Sequence, residues 1–398
     1  VKFSPLSNPI MFVGDNPSLP GGLSRICRDL ATLTATMPEF RVGVLGRGLG
    51  QRRKFPLTLY DFDESGGWGE GMIAPAWGDF AGSQPGVIMT LDDPSRRTWF
   101  GAPALFPPHL REFLGQGRNF AKWGYFPIDS IGPAATGPGF QGSLGIEGRL
   151  ALGDYQRVLA SSEWGRNILS NSGRADADWI PHGIFMDKFK PVEHSREILG
   201  WQDGQVWMGS VMANQSRKDF PVLMEAIAAL RAHYGNRLRA WIHTDTLVRY
   251  WNIPALAQDF GVSDVIEVSM DLDDAALAVR YSGCDCTMLP SGGEGFGYPI
   301  AESLACGTPA IVTDYAAGQE LVQAECRVTP MCFRIDTSHN VRRAVLSGYA
   351  FAQAAIHQIE LKKQDWEYRG GELRQTVDHL GWDKLRHVWE RWLREGLR

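Results

Sequence analysis

The chain has 398 residues, 44% hydrophobic and 21% charged, with a formal net charge of −5. That length exceeds what one hydrophobic core supports and suits two globular domains of roughly 180 to 200 residues each, with no long disordered stretch. The slightly acidic balance excludes a protein whose main business is gripping nucleic-acid phosphates, because that needs a dominant basic face.

Two local basic clusters, Arg47 with Arg52-Arg53-Lys54 and the pair Arg96-Arg97, read as solvated loops. The six cysteines, at 27, 284, 286, 306, 326 and 332, show neither CxxC metal spacing nor a secreted-framework pattern, which suits a reducing compartment. Cys284 and Cys286 sit in an apolar run and pack as small hydrophobes. No stretch of about 20 apolar residues occurs, and the N-terminus lacks a basic-then-apolar signal. A cytoplasmic protein without a transmembrane segment is expected, with attachment to a membrane surface left open.

In chain order, Ile10 to Val13 reads as a strand, followed by a turn at Gly21-Gly22 and an amphipathic helix from Leu23. This is the opening unit of a doubly wound domain. Arg41 to Leu45 is a second strand, and Gly46-Arg47-Gly48-Leu49-Gly50 after it reads as a loop, because no clear helix follows this GxGxG. A Gly- and Trp-rich stretch from Tyr60 to Gly86 holds one helix near Ala74 to Phe80. Val87 to Leu91 is a strand ending at Asp92-Asp93, where open α/β sheets place ligands. His109 lies just after two prolines, Pro107 and Pro108, and reads as a loop or cap residue. Lys122 to Ile128 is a strand delivering Asp129-Ser130 to the same edge, and Arg157 to Ser161 is another, with its helix capped by Ser161 or Ser162. Trp68, Trp77, Trp99 and Trp123 are either fold-filling aromatics or platforms for a ring.

The second half opens with the apolar strand Gln205 to Met212, then Asn214-Gln215-Ser216-Arg217-Lys218-Asp219 and a helix from Pro221 to His233. Cations between a first strand and a helix N-terminus suit a diphosphate. Arg239 to His243 and Val265 to Met270 read as strands, Asp273 to Gly283 as a helix, and 338 to 363 as one helix. Pro290 to Asp314, PSGGEGFGYPIAESLACGTPAIVTD, carries the strongest signal. Its glycines let backbone approach a ligand, Pro299 suits a first helical turn, and the helix dipole favours an anion or a sugar hydroxyl array. Glu294 and Glu302 bracket that turn, and two carboxylates at such depths accept hydrogen bonds from hydroxyls.

EGFGYPIAE, the following CGTPAIVTD and the preceding YSGCDCTMLPS resemble the donor-site motif of the retaining glycosyltransferases of family 4. The resemblance covers the second half closely and the first loosely. It implies an α/β protein of GT-B architecture, with two Rossmann-like doubly wound domains facing a cleft and a C-terminal helix crossing back to the first domain. The implied division is 1–190 for an acceptor-side domain, 191–365 for a nucleotide-sugar donor domain and 366–398 for a helical tail.

The resemblance further implies that Glu294 lies beside the transferred hexose and Glu302 at the ribose. Gly21 and Gly22 approach the donor phosphates, as do Lys218 and the adjacent Arg217. Asn214, Gly295, Phe296 and Gly297 complete the donor loops, and Met270 follows the strand that meets the base. Relatives carry an arginine five residues before the lysine, where this chain has Ala213, and a histidine where it has Asp92 and Asp93. Asp92, Asp93 and Asp129 are therefore the acceptor-side candidates. His182 falls in the interdomain segment and reads as structural.

The implied activity is a retaining hexosyl transfer from a UDP or GDP sugar to a hydroxyl acceptor, with Glu294, Lys218 and Arg217 as catalytic residues. No metal or other cofactor is required, and the leaving phosphate acts as base. The acceptor class stays open among glycan, lipid-linked sugar, small molecule and modified nucleic-acid base. Alternatives are a GT-B enzyme of another reaction, such as an epimerase or phosphorylase, or a non-catalytic nucleotide- or glycan-binding protein.

Overall fold

A computed structural model describes residues 7–50, 54–115, 117–133, 142–337, 340–364 and 366–398. Arg52 and Arg53 of the first basic cluster lie outside these. The chain forms two compact units. The first gathers residues up to His182 with Thr337–Val341 and Arg386–Arg398, and the second holds Gly183–Asp336 and Arg342–Leu385.

The first unit is built on strands β1 (Asn8–Asp15), β2 (Phe40–Arg47), β3 (Thr58–Phe62), β4 (Gly86–Leu91), β5 (Phe120–Phe126), β6 (Arg157–Ala160) and β7 (Asp178–Trp179). They form one sheet in the order β3-β2-β1-β4-β5-β6-β7, parallel at every pairing. Strands β1 and β4 are largely apolar runs because helices cover both faces of a parallel sheet; Ile10, Met11, Val87, Ile88 and, in β5, Tyr125 are wholly buried. The sequence reading overlooks β3. Its half-exposed TLYDF pattern is that of an edge strand and lacks the apolar run that marks the centre. The Gly-rich stretch does hold one helix, Ile73–Ala81, and His109 is an exposed residue of the helix Pro108–Leu114.

The C-terminal residues complete this unit. Trp389 meets Tyr125 edge-on with ring centroids 4.8 Å apart, Trp392 meets Trp123 at 5.3 Å, and the Arg157 guanidinium lies 4.0 Å from the Trp392 ring centroid. Arg394 pairs with Glu39 at 2.9 Å. The chain thus returns to its first unit at Arg386, while the residues from Arg342 to Leu385 stay with the second. His182 is structural. It is 3% exposed, and its Nδ1 lies 2.6 Å from the Tyr125 hydroxyl, which itself donates to the Ile180 carbonyl. Burial, then Arg25, lowers the imidazole to about 3, so the ring is neutral.

The second unit repeats the plan with β8 (Val206–Val211), β9 (Leu238–His243), β10 (Ile266–Ser269), β11 (Cys286–Leu289), β12 (Ala310–Thr313) and β13 (Arg327–Val328), in the order β10-β9-β8-β11-β12-β13. In both sheets the order in which strands are added reverses beside the first strand, at β1/β4 and β8/β11. Such a switch point opens a crevice at the carboxyl ends of the strands. The reading of 338 to 363 as one helix is corrected: β14 (Cys332–Asp336) and β15 (Val341–Val345) form a two-stranded ribbon, and the helix starts at Gly348. VRRAV keeps the period of a strand, and the Ser347 hydroxyl, accepting from Ala350 N–H at 3.3 Å, marks where the helix begins.

Candidate functional site

In the second unit, parallel pairing of Cys286 with Met208 and Thr287 with Gly209 brings β8 and β11 side by side. Each is followed by a loop and then a helix, Phe220–Tyr234 after β8 and Tyr298–Ala305 after β11. The two loops are stitched together. Asp219 N–H donates to the Pro290 carbonyl at 2.9 Å and Gly292 N–H to the Arg217 carbonyl at 2.7 Å, while Lys218 and Ser291 form an isolated bridge. Thr313 at the end of β12 donates its hydroxyl to the Ser291 carbonyl at 2.7 Å, tying the glycine loop to the sheet.

This framework holds Lys218 and Glu294 in direct contact, Nζ to Oε1, with the two residues 6% and 8% exposed. Arg217 stands behind them, its NH2 4.0 Å from Glu294 Oε2 and its Nε donating to the Gly293 carbonyl at 3.2 Å. Burial by itself would raise the Glu294 carboxyl. Lys218 and then Arg217 outweigh it and hold the group below its ordinary value, so it is a carboxylate at neutral pH. Gly297 caps the helix with φ +101, where a Cβ would meet Ile300 Cδ1 at 2.6 Å, so only glycine fits without strain. Phe296 packs on Tyr298 with ring centroids 5.4 Å apart.

Glu302, on the same helix, is 3% exposed and accepts from the Tyr281 hydroxyl at 3.1 Å. Asn214 is 0% exposed. Its amide donates to the carbonyls of Thr246 and Trp251 at 3.2 and 2.8 Å, and its oxygen accepts from Trp251 N–H at 3.0 Å. These bonds use the side chain to fix one loop on another. Met270, just past β10, is 44% exposed.

In the first unit, Asp15 ends β1, and Asp92 and Asp93 follow β4 at the other switch point. Gly21, with φ +125, precedes the helix that begins at Gly22. Asp92 is not open to a ligand: it is 1% exposed, and its oxygens pair with Arg96 and Arg97, each at 3.0 Å. The reading of Arg96-Arg97 as a solvated loop is corrected with it. Arg97 is 1% exposed, and its guanidinium also bonds the Trp68 carbonyl. Arg47 and Arg96 lie 4.1 and 4.3 Å from the Trp68 ring centroid, while Trp77, Trp99 and Trp123 are buried core.

Asp93 caps the following turn by accepting from Ser95 N–H at 2.8 Å and its hydroxyl at 2.6 Å. Burial, then Asp129, raises its carboxyl. Asp129 accepts from the Ser130 hydroxyl at 2.9 Å. Asp93, Ser95, Asp129, Ser130 and Glu147 line one open pocket. Sequence reasoning missed Asp15, whose carboxyl is raised to about 6 by burial, then by Asp92, against the pull of Arg96. The available signal was its place as the last residue of an apolar first strand.

Residues 192–326 match the family model described as Glycosyl transferases group 1. Over nearly its whole length the chain is also similar to GT-B structures. The sucrose-phosphate synthase of Thermosynechococcus elongatus aligns with TM-score 0.71 at 18% identity, covering 98% of both chains.
The chain has the GT-B fold, and its residues 192–326 are similar to group 1 glycosyl transferases.
A second structural neighbour of this GT-B chain is HepE of Anabaena, solved with UDP and glucose, with TM-score 0.68 at 16% identity, covering 98% of this chain and 99% of that one. Among curated sequences it is similar to the D-inositol 3-phosphate glycosyltransferases of Thermomonospora curvata, 32% identical over 183 residues, and of Stackebrandtia nassauensis, 28% identical over 191 residues. These matches span 42% of this chain in both cases and 42% and 40% of the relatives' own lengths. Among the described residues no helix is long and apolar enough to cross a membrane.

Proposed function

We propose that the protein is a retaining glycosyltransferase of family 4 type. It transfers a hexosyl group from a nucleoside-diphosphate sugar to a hydroxyl acceptor. The observation that carries this reading is the buried contact of Lys218 with Glu294 at the β8/β11 switch point, with Arg217 beside it. A crevice at that position, next to a helix N-terminus, suits a phosphorylated ligand. HepE, a neighbour of the same fold, has been solved with UDP-glucose.

In the proposed reaction the bond between the anomeric carbon and the phosphate oxygen breaks, and its electron pair stays on the diphosphate. Lys218, Arg217 and the dipole of the helix after Gly297 stabilise the charge that develops there, and no step is assigned to a metal ion. Glu294 accepts from sugar hydroxyls and faces the cationic character that grows at the anomeric carbon. The acceptor oxygen bonds to that carbon on the face the phosphate leaves, and its proton passes to the leaving phosphate oxygen. Retention follows from attack on that same face. Glu302 holds the ribose, Gly21, Gly22, Gly295, Phe296 and Gly297 shape the phosphate loops, and Asp93 with Asp129 faces the acceptor.

The test is Glu294→Gln, assayed for release of nucleoside diphosphate from UDP- and GDP-sugars across a panel of hydroxyl acceptors. Turnover is expected to fall ~10²–10³-fold while nucleotide binding, followed by calorimetry, persists. Near-normal turnover would remove Glu294 from the chemistry. Product formation without any acceptor would replace transfer by another GT-B reaction.

A further inference from the structure

The ribbon of β14 and β15 carries a row of apolar side chains in the open. Met331, Phe333 and Ile335 are 65%, 47% and 44% exposed, and the two-residue period of a strand sets all three on one side. Met331 belongs to the row although β14 begins one residue later, because its N–H bonds the Val345 carbonyl at 2.9 Å and so continues the ladder. The ribbon is anchored. Ala344 N–H donates to the Gly292 carbonyl at 3.1 Å, the Tyr315 hydroxyl donates to the Arg342 carbonyl at 3.1 Å, and the Tyr315 ring meets Phe333 with centroids 5.0 Å apart. Three large apolar residues held at the surface by an anchored element mark a contact surface.

The charges of the ribbon narrow what the row contacts. Three arginines against one aspartate give β14 and β15 a charge of +2 in a chain of −5. The aspartate is taken: Asp336 lies 3.8 Å from Arg343, which is itself 6% exposed. Arg334 is exposed and Arg342 half-buried, and among the described residues neither is in an ion pair. Arg334 pulls on the Asp219 carboxyl without pairing with it. An apolar row flanked by two such cations matches the apolar interior and the anionic headgroups of a lipid bilayer. A second copy of the chain suits the row less well, because an isologous contact sets Arg334 and Arg342 against the same pair.

We propose that the ribbon docks the protein on an anionic lipid surface, with Met331, Phe333 and Ile335 entering the headgroup region and Arg334 and Arg342 meeting lipid phosphates. β15 is bonded directly to Gly292, so a surface held there lies beside the glycine loop. The inference stands apart from the nucleotide-sugar reading, since neither the row nor its two cations belong to the residues assigned to that reaction.

The test is co-flotation of the full chain with vesicles of phosphatidylcholine alone and of an equimolar mixture with phosphatidylglycerol. The wild type is expected to bind the mixed vesicles about tenfold or more tighter than the neutral ones, the weight of two cations at an anionic surface. Arg334→Gln combined with Arg342→Gln should remove that preference. Met331→Ser combined with Ile335→Ser leaves Phe333 on Tyr315 and should weaken binding to the mixed vesicles about tenfold or more. Thermal melting checks that both variants fold, and the arginine variant keeps the proposal testable if the serine one does not. A wild type that binds neither vesicle overturns the inference, as does binding that folded variants leave unchanged. Self-association in sedimentation velocity that the serine variant abolishes would give the row to a second copy and overturn it too. The nucleotide-sugar reading is untouched by any of these results.

Discussion

Lys218 and Glu294, 76 positions apart in the chain, meet as an ion pair that is nearly closed to water. The pairing depends on two parallel strands that end at the same edge and on loops whose backbones are bonded to each other. Arg217 does not compete for this geometry. It is held to Gly293 and adds positive charge from behind.

Removing either partner takes from a buried charge its nearest opposite one, so Lys218→Met and Glu294→Gln should each lower folding stability by ~3–5 kcal/mol. The double variant should lose much less than the sum, as urea denaturation will show. The Glu294 carboxyl is held below the ordinary 4.5, so the unfolded chain takes up this proton first as pH falls. The stabilisation is complete above about pH 4.5 and is lost as pH falls through the folded-state value. Glu294→Gln should remove that part of the acid dependence.

Asp15 works with the opposite sign. Its carboxyl is raised from 3.8 to about 6, so the folded chain holds this proton more tightly than the unfolded one. The contribution is fully present below pH 3.8 and is lost as pH rises through about 6. Asp15→Asn should therefore be more stable than the wild type at pH 8, by up to about 3 kcal/mol, and close to it at pH 3. Denaturation at the two pH values checks this.

Asp92, which follows β4, and Asp129, which follows β5, should separate by role. Asp92→Asn disturbs the buried pairs with Arg96 and Arg97 and is expected to cost ~3–5 kcal/mol with a lowered Tm. Asp129→Asn should change stability by no more than ~0.5 kcal/mol and raise KM for the acceptor, with KM for the donor sugar unchanged. Equal effects of the two substitutions on Tm would remove the distinction.

Gly297→Ala tests the helix start. A side chain at φ +101 pressed against Ile300 should cost ~1–3 kcal/mol. Because the same residue sets where the helix after the glycine loop begins, turnover should fall more than stability alone explains. Thermal melting alongside initial rates separates the two.

The doubly wound plan was legible because the central strands are apolar runs with a glycine turn and a helix after them, a pattern that needs only local sequence. Glu294, Lys218 and Arg217 were legible for a related reason: each sits in a loop between such a strand and its helix. What escaped was non-local or weakly patterned. β3 is a half-exposed edge, β14 is an exposed five-residue strand without an apolar run, and Arg97 looks like a surface cation until Asp92 is seen beside it. Asn214 was expected at the donor, yet its amide is fully occupied between loops.

The sequence alone determined the two α/β domains and the loops that carry charge, since strand runs, glycine turns and helix starts are written within about 30 residues of each other. Tertiary structure decided which charges neutralise one another: Lys218 with Glu294, and Arg96 and Arg97 with Asp92. Such partnerships arise where parallel crossovers bring distant strand ends to one edge, and burial there gives each charge its weight. No local pattern carries that information.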